Sequence, residues 1–273
     1  MLLIFLCLNF VIIVSAQKSI DALINTEKKF AKLSIDKNVK EAFLYYLDSN
    51  GVVFNSGNII NGIKAYQKQP AGKSKIVWEP SYSIISASGE LGINTGPYKY
   101  FLNDTALKPL VQGQFTTVWH KTNLGEWKFL ADMGISFTDD VELPVKTIHK
   151  KILPAFKNNS ATLNDEEILS AEQSFIKDYS AHGSNAFASV ISDDVWFNID
   201  GNAPLVGKEA VLQKLSIIPS HILFTPVGHG ISAAGDLVYV YGIVELNSKK
   251  ENYLRIWQNN HQHWKLLLQV LLF

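Results

Sequence analysis

Arginine is almost missing from this chain: of 25 Lys and Arg residues, Arg255 is the single arginine. The planar fork that grips phosphate or carboxylate through paired bonds is correspondingly scarce. Neither sign of charge is in excess, since 25 acidic residues balance the 25 basic ones. Without a positive field, nucleic acid is not an expected partner. Cysteine is limited to Cys7, so neither a disulfide framework nor a thiolate metal site can form within the chain. The longest apolar stretch, residues 2–14, is interrupted only by Asn9 and falls short of the ~20 residues that a membrane-spanning helix needs. The glycines do not follow the phosphate-loop order, and Ser88-Gly89 lacks the flanking glycine of a nucleophile elbow.

What is present at the N-terminus is an apolar core closing on Val14-Ser15-Ala16 before Gln17. That pattern reads as a secretory signal over residues 1–16, although its basic leading region is reduced to the terminal amine. Its removal leaves a mature chain without cysteine and without a membrane segment, which suits a secreted or bacterial periplasmic protein. The remaining length favours two domains of ordinary size.

The chain is organised around residues 75–135, where apolar runs are punctuated by Trp78-Glu79-Pro80, Ser88-Gly89-Glu90-Leu91, Gly96-Pro97-Tyr98, Val118-Trp119 and Trp127-Lys128. Two-residue periodicity predicts strands at 76–87, 91–101, 110–121 and 127–137. Ahead of them, Ile20, Leu23, Ile24, Phe30 and Leu33 mark an amphipathic helix over 19–35. Asn38 with Glu41 opens a second helix that Asn50-Gly51 ends.

The punctuation returns. Glu172-Gln173-Ser174-Phe175 matches Glu27-Lys28-Lys29-Phe30, and Phe187 matches Phe43. Phe224-Thr225-Pro226 matches Trp78-Glu79-Pro80, and Ala234-Gly235-Asp236-Leu237 matches Ser88-Gly89-Glu90-Leu91. Ile256-Trp257 and Trp264-Lys265 complete the series. A tandem duplication follows, with a first domain over 17–137, a linker over 138–163 carrying a short helix at 145–153, and a second domain over 164–273. Asn164 and Glu167 have capping-box spacing at the start of the second copy.

Glu27, Phe30, Gly62, Trp78, Pro80, Ser88-Gly89-Glu90-Leu91-Gly92, Thr95-Gly96-Pro97-Tyr98, Thr117, Trp119, Gly125, Trp127, Lys128 and Asp132 together resemble the SnoaL-like branch of the nuclear transport factor 2-like superfamily. Within it they are most similar to a branch described as a domain of unknown function. The resemblance implies an α+β fold of two tandem cones. Each is a curved, antiparallel-rich sheet wrapped around N-terminal helices, with an apolar pocket between them. It further implies that the two copies pair through the outer faces of their sheets as an intramolecular pseudo-dimer. The superfamily spans isomerases, cyclases, dehydratases and proteins without chemistry, so the fold alone selects no activity.

Asp132 is the candidate catalytic residue. It interrupts the apolar strand Phe129-Leu130-Ala131-Asp132-Met133, where a carboxyl is costly to bury without partners. In an apolar cone it would have a raised pKa and could act as general base, as in ketosteroid isomerase of the same superfamily. The reading preferred over this is that it is hydrogen-bonded to backbone or a tryptophan indole and holds the sheet together. Its counterpart Gln269 cannot serve as a base. Trp78, Tyr98 and Trp119 are candidates to line a pocket for a small apolar ligand. Trp127 and Trp264 read as structural. The histidines lack the spacing of a metal site, His261-Gln262-His263 included, and His120 at a strand end reads as solvated. No metal or cofactor is predicted. The reading is therefore a non-enzymatic ligand-binding or scaffold protein, with a cofactor-independent isomerase or lyase as the alternative.

Overall fold

The computed structural model describes residues 2–154, 165–260 and 263–273. Helix α1 (Leu2–Asp36) and helix α2 (Val39–Tyr46) lead into strands β1 (Leu47–Asn55) and β2 (Asn58–Asn61), helix α3 (Gly62–Lys68) and strands β3 (Lys75–Trp78) and β4 (Tyr82–Ile85). The wall continues through β5 (Leu91–Phe101), β6 (Val111–Lys121) and β7 (Trp127–Ser136), followed by β8 (His149–Ile152). The second unit comprises α4 (Asp165–His182), a 3-10 turn, α5 (Phe187–Val190), β9 (Ile191–Ile199), β10 (Leu205–Val206), α6 (Lys208–Gln213), β11 (Leu223–Ile231), β12 (Leu237–Leu246), β13 (Lys249–Asn260) and β14 (His263–Leu271).

Both sheets are mixed, and both have the same order. In the first, β2-β1-β7-β6-β5 continues into β4 and β8, with β3 also on β5; in the second, the order is β10-β9-β14-β13-β12-β11. The strand after the helices joins the last strand of the meander in parallel, β1 on β7 and β9 on β14. Each copy also carries the same bulge. Trp119 faces Phe129 but Val118 faces Ala131, which leaves Leu130 extra. Likewise Trp257 faces Leu266 but Ile256 faces Leu268, which leaves Leu267 extra. An extra residue bends the strand and reverses which face the following side chains take. This is how Phe129 points into the first cone while Ala131 points out of it.

Several expectations need correction. The strand expected at 76–87 is two strands, because Pro80 cannot donate to the ladder and the backbone kinks there. A Cβ at Gly96 would fall 1.9 Å from the Glu79 carbonyl oxygen, so only glycine admits the kink. Gly242 plays the same part against Thr225. Residues 149–152 form β8, parallel to β4, where a helix was expected, because the lysine-rich segment finds an open sheet edge. Helix α1 extends back to Leu2, since no breaker separates residues 2–18 from the amphipathic face. The second helix stops at Tyr46, and Asn50-Gly51 lies inside β1, at its register shift against β7. Asn38 does cap α2: its Oδ1 accepts from the Glu41 N–H at 2.9 Å and its Nδ2 donates to Glu41 Oε1 at 2.6 Å. Asn164, His261 and Gln262 lie outside the described residues.

Among the described residues, three apolar clusters hold the molecule. Two fill the cones, one around Phe30, Trp119 and Phe129 and the other around Phe175, Phe197 and Trp257. The third is built from the outer faces of both sheets, with Ile84, Ile93, Val118 and Met133 against Leu254, Ile256, Leu268 and Val270. Its rim is reciprocal. The Ala87 N–H donates to Asp236 Oδ2 at 2.7 Å, and the Ala233 N–H donates to Glu90 Oε1 at 2.6 Å, each acid being the other's repeat counterpart. Across the same contact Tyr82 stacks on Trp196, with ring centroids 5.1 Å apart.

Candidate functional site

Each cone is pinned by one glutamate from its long helix. Glu27 falls on the apolar face of α1 with Ile20, Leu23, Ile24 and Phe30, and is fully buried. Its Oε1 accepts from Trp78 Nε1 at 2.8 Å, and its Oε2 accepts from Trp119 Nε1 at 2.7 Å and Asn94 Nδ2 at 3.0 Å. Glu172 does the same work from α4, accepting from Trp257 Nε1 at 2.9 Å and from the Tyr253 hydroxyl at 2.9 Å. A further partner differs between the copies: Glu172 also pairs with Arg255, both side chains being wholly buried.

Beyond Glu27 the first cone is hollow. A cavity of about 210 Å³ is lined by Phe30, Phe43, Tyr66, Ile76, Trp78, Tyr98, Phe115, Asp132 and Gly134. A second space of about 200 Å³ shares Tyr66, Asp132 and Gly134 and is bounded by Phe54 and by Asn252 and Leu272 of the second unit. Asp132 thus stands between an inner apolar chamber and an outer one to which both domains contribute.

Asp132 is half-buried, on the inner face of β7 opposite Thr117 of β6. Thr117 Oγ1 donates to Asp132 Oδ2 at 2.8 Å, and among the described residues nothing donates to Oδ1. Burial pushes its carboxyl up to about 6, against the lowering effect of Thr117. Burial pushes Glu27 up to about 7, against its three hydrogen bonds, with repulsion from Asp132 adding to the rise. Tyr98 is raised to about 12 and Tyr66 further still, mainly by burial, so both phenols keep their protons and remain donors.

Of the residues singled out in the sequence, Asp132, Trp78 and Tyr98 meet at this cavity, whereas Trp119 lies behind it with its indole committed to Glu27. Trp127 is buried with Lys121 above its ring, as a structural residue would be. His120 is not a solvated strand end: its Nε2 lies 2.8 Å from Asp48 Oδ2 and both side chains are largely covered. Glu27, Tyr66 and Phe115 were missed as site residues. For Glu27 a signal existed, because a carboxylate on the apolar stripe of a helix must be buried.

Among the described residues, the matching positions of the second cone enclose no such hollow; its recess, of about 570 Å³, lies elsewhere, between α4, α5 and the sheet at Ser170, Phe175, Ser189, Trp257 and Trp264. Phe175, Phe187, Val211, Ile222, Phe224, Val244, Tyr253 and Leu271 stand for Phe30, Phe43, Tyr66, Ile76, Trp78, Tyr98, Phe115 and Gly134, and all belong to one close-packed cluster. Thr117 is replaced by Arg255 and Asp132 by Gln269, and Arg255 Nε donates to Gln269 Oε1 at 2.7 Å. Arginine, glutamine and leucine fill the volume that threonine, aspartate and glycine leave open.

No protein-family model matches this chain, and no curated protein matches it. Solved structures do. The chain is similar in fold to nuclear transport factor 2-like proteins. One from Cytophaga hutchinsonii is 21% identical, with 40% of this chain and 97% of that one covered and a TM-score of 0.31. Nuclear transport factor 2 from Cryptosporidium parvum is 10% identical, covering 41% and 97%, with a TM-score of 0.33. A candidate ketosteroid isomerase from Parabacteroides distasonis is 18% identical, covering 44% and 95%, at 0.33. Among the described residues, no helix is long and apolar enough to cross a membrane, and no three metal-ligating side chains come together.

Proposed function

We propose that this chain is an exported small-molecule-binding protein in which the first cone receives the ligand and the second is its structural partner. One observation carries the reading: matched positions enclose a cavity of about 210 Å³ in the first cone and a filled core in the second. The cavity is below the 300–1,000 Å³ of drug-sized sites, which favours a compact ligand over a steroid-sized one. Its aromatic walls supply contact area, and Asp132 with the Tyr66 and Tyr98 hydroxyls supplies orientation. The apolar stretch over residues 2–14 supports export.

The test is a thermal-shift screen of compact fragments, neutral and charged, against the wild type and Gly134→Leu. A Cβ at Gly134 would meet nothing closer than 3.6 Å, so leucine there is tolerated by the backbone and projects into the cavity. A fragment that raises the wild-type melting temperature and has no effect on the variant supports the reading. If no fragment does so, the first cone is a scaffold like the second.

A second reading is proton transfer by Asp132, favoured by its carboxyl raised to about 6 inside a cavity that also holds two phenols. Deuterium exchange at the α-carbon of small ketones, followed by NMR, should then be accelerated by the wild type and not by Asp132→Asn. Equal rates for the two would remove the catalytic reading.

A further inference from the structure

The second cone contains a model of what the first one lacks. The Arg255 guanidinium carbon lies 4.3 Å from the Phe175 ring centroid, 4.1 Å from Phe224 and 4.4 Å from Tyr253. Three aromatic rings within ~6 Å of one cation form a strong cation–π clasp. Its edge is satisfied by Glu172 and Gln269, while Nη2 has no hydrogen-bond partner and depends on the rings. The counterparts of those three rings are Phe30, Trp78 and Phe115, and all three line the cavity of the first cone. Where Arg255 would enter, the first cone has Thr117, too short to reach it.

Charge makes the same point independently. At its centre the second cone buries Glu172 and neutralises it with Arg255. The first buries Glu27 and lines its cavity with Asp132, and no lysine or arginine lines that cavity. Two acids that repel each other in a low-dielectric space must either take up protons or meet a counter-charge. Among the described residues the chain supplies none, and Asp132 keeps one oxygen without a donor.

We propose that the first cone binds a small organic cation of the guanidinium or alkylammonium class, clasped by Phe30, Trp78 and Phe115 and hydrogen-bonded to Asp132. The inference rests on the first cone being a ligand site, and names the class of ligand. A neutral apolar molecule would fill the volume but bring no charge to the two acids, leaving protonation as their relief. A cation reproduces in the first cone the arrangement that Arg255 builds into the second.

Methylguanidinium and N-methylurea have nearly the same shape and differ in charge, so the pair isolates the proposal. Titrated by calorimetry into the full chain, methylguanidinium should bind at least tenfold more tightly than N-methylurea. Asp132→Asn should bring the two within about threefold. In the wild type, NMR titration of the Asp132 carboxyl should show its pKa falling by a unit or more with methylguanidinium and staying put with N-methylurea, a readout that does not depend on any variant folding. Equal binding of the two probes would overturn the cation inference and leave the ligand-site reading standing. Binding of neither, together with no fragment sensitive to Gly134→Leu, would overturn both.

Discussion

The two cones share walls, turns, a bulge and a buried glutamate, and they differ in what occupies the centre. In the second, Arg255 balances Glu172, Gln269 orients Arg255, and Leu271 seals the end. In the first, Thr117, Asp132 and Gly134 stand at those three positions, and the outcome is a cavity with unbalanced acid. These three exchanges sit at the centre of the change from filled core to chamber, and Tyr66, Trp78, Tyr98 and Phe115 of the lining are exchanged as well, for Val211, Phe224, Val244 and Tyr253. The buried carboxylate faces a guanidinium in one copy and three neutral donors in the other.

The largest effect should come from removing the second cone's internal cation. Arg255→Met leaves Glu172 buried and unpaired, which should cost about 3–5 kcal/mol in urea unfolding. Methionine at Thr117 in the first cone should do no comparable harm. Little difference between the two variants would mean that the cones are neutralised alike.

Next in size is the pH dependence of the first cone. Asp132 moves from 3.8 to about 6 on folding, so between those values the folded state holds more protons than the unfolded one. Stability is therefore fully present below the lower value and falls as pH rises through the upper one. The swing is on the order of 2–3 kcal/mol for Asp132, and Glu27, rising from 4.5 to about 7, extends it upward. Asp132→Asn should flatten the slope between pH 4 and 6 relative to the wild type in pH-dependent denaturation. A slope unchanged in the variant would place the titration elsewhere.

The reciprocal rim offers a smaller test. Asp236 is wholly buried and accepts from both the Ala87 N–H and Ser232, whereas Glu90 is only partly buried and accepts from the exposed Ala233 N–H. Asp236→Ala should cost about 1–3 kcal/mol and Glu90→Ala less, since an exposed donor recovers water. Equal costs would mean that the rim is symmetric in energy as well as in position.

The smallest effect sharpens the comparison most. Thr117→Arg combined with Asp132→Gln should rebuild the second cone's centre in the first, raising stability by about 1 kcal/mol through cavity filling and neutralisation of Glu27. Probe binding should vanish at the same time. A destabilised variant with the cavity still open would show that the rings around Phe30 are not arranged as those around Phe175.

Much of the fold could be read from residues alone. The glycine turns, the paired tryptophans and the Glu-x-x-Phe helices act locally, and local rules of turn chemistry and period place them. The strand at 149–152 was missed because it depends on an edge of sheet formed by distant residues, whereas the break at Pro80 had a local signal in the proline itself. Asp132 was visible as a polar intruder on an apolar strand. Glu27 was visible as a repeat marker but not as a clamp, since its three donors come from three strands.

By itself, then, the sequence determined that one α+β unit is written twice and that an acid in the first copy is an amide in the second. Only the tertiary structure decided which copy is hollow at these matched positions. A cavity is the difference between a summed side-chain volume and the space that enclosing backbone provides, and no linear pattern contains that difference. Thr117 against Arg255 looks like an ordinary surface-strand change in one dimension. In three dimensions Arg255 brings its charge into the ring of aromatics and fills it, and Thr117 leaves the matching ring open.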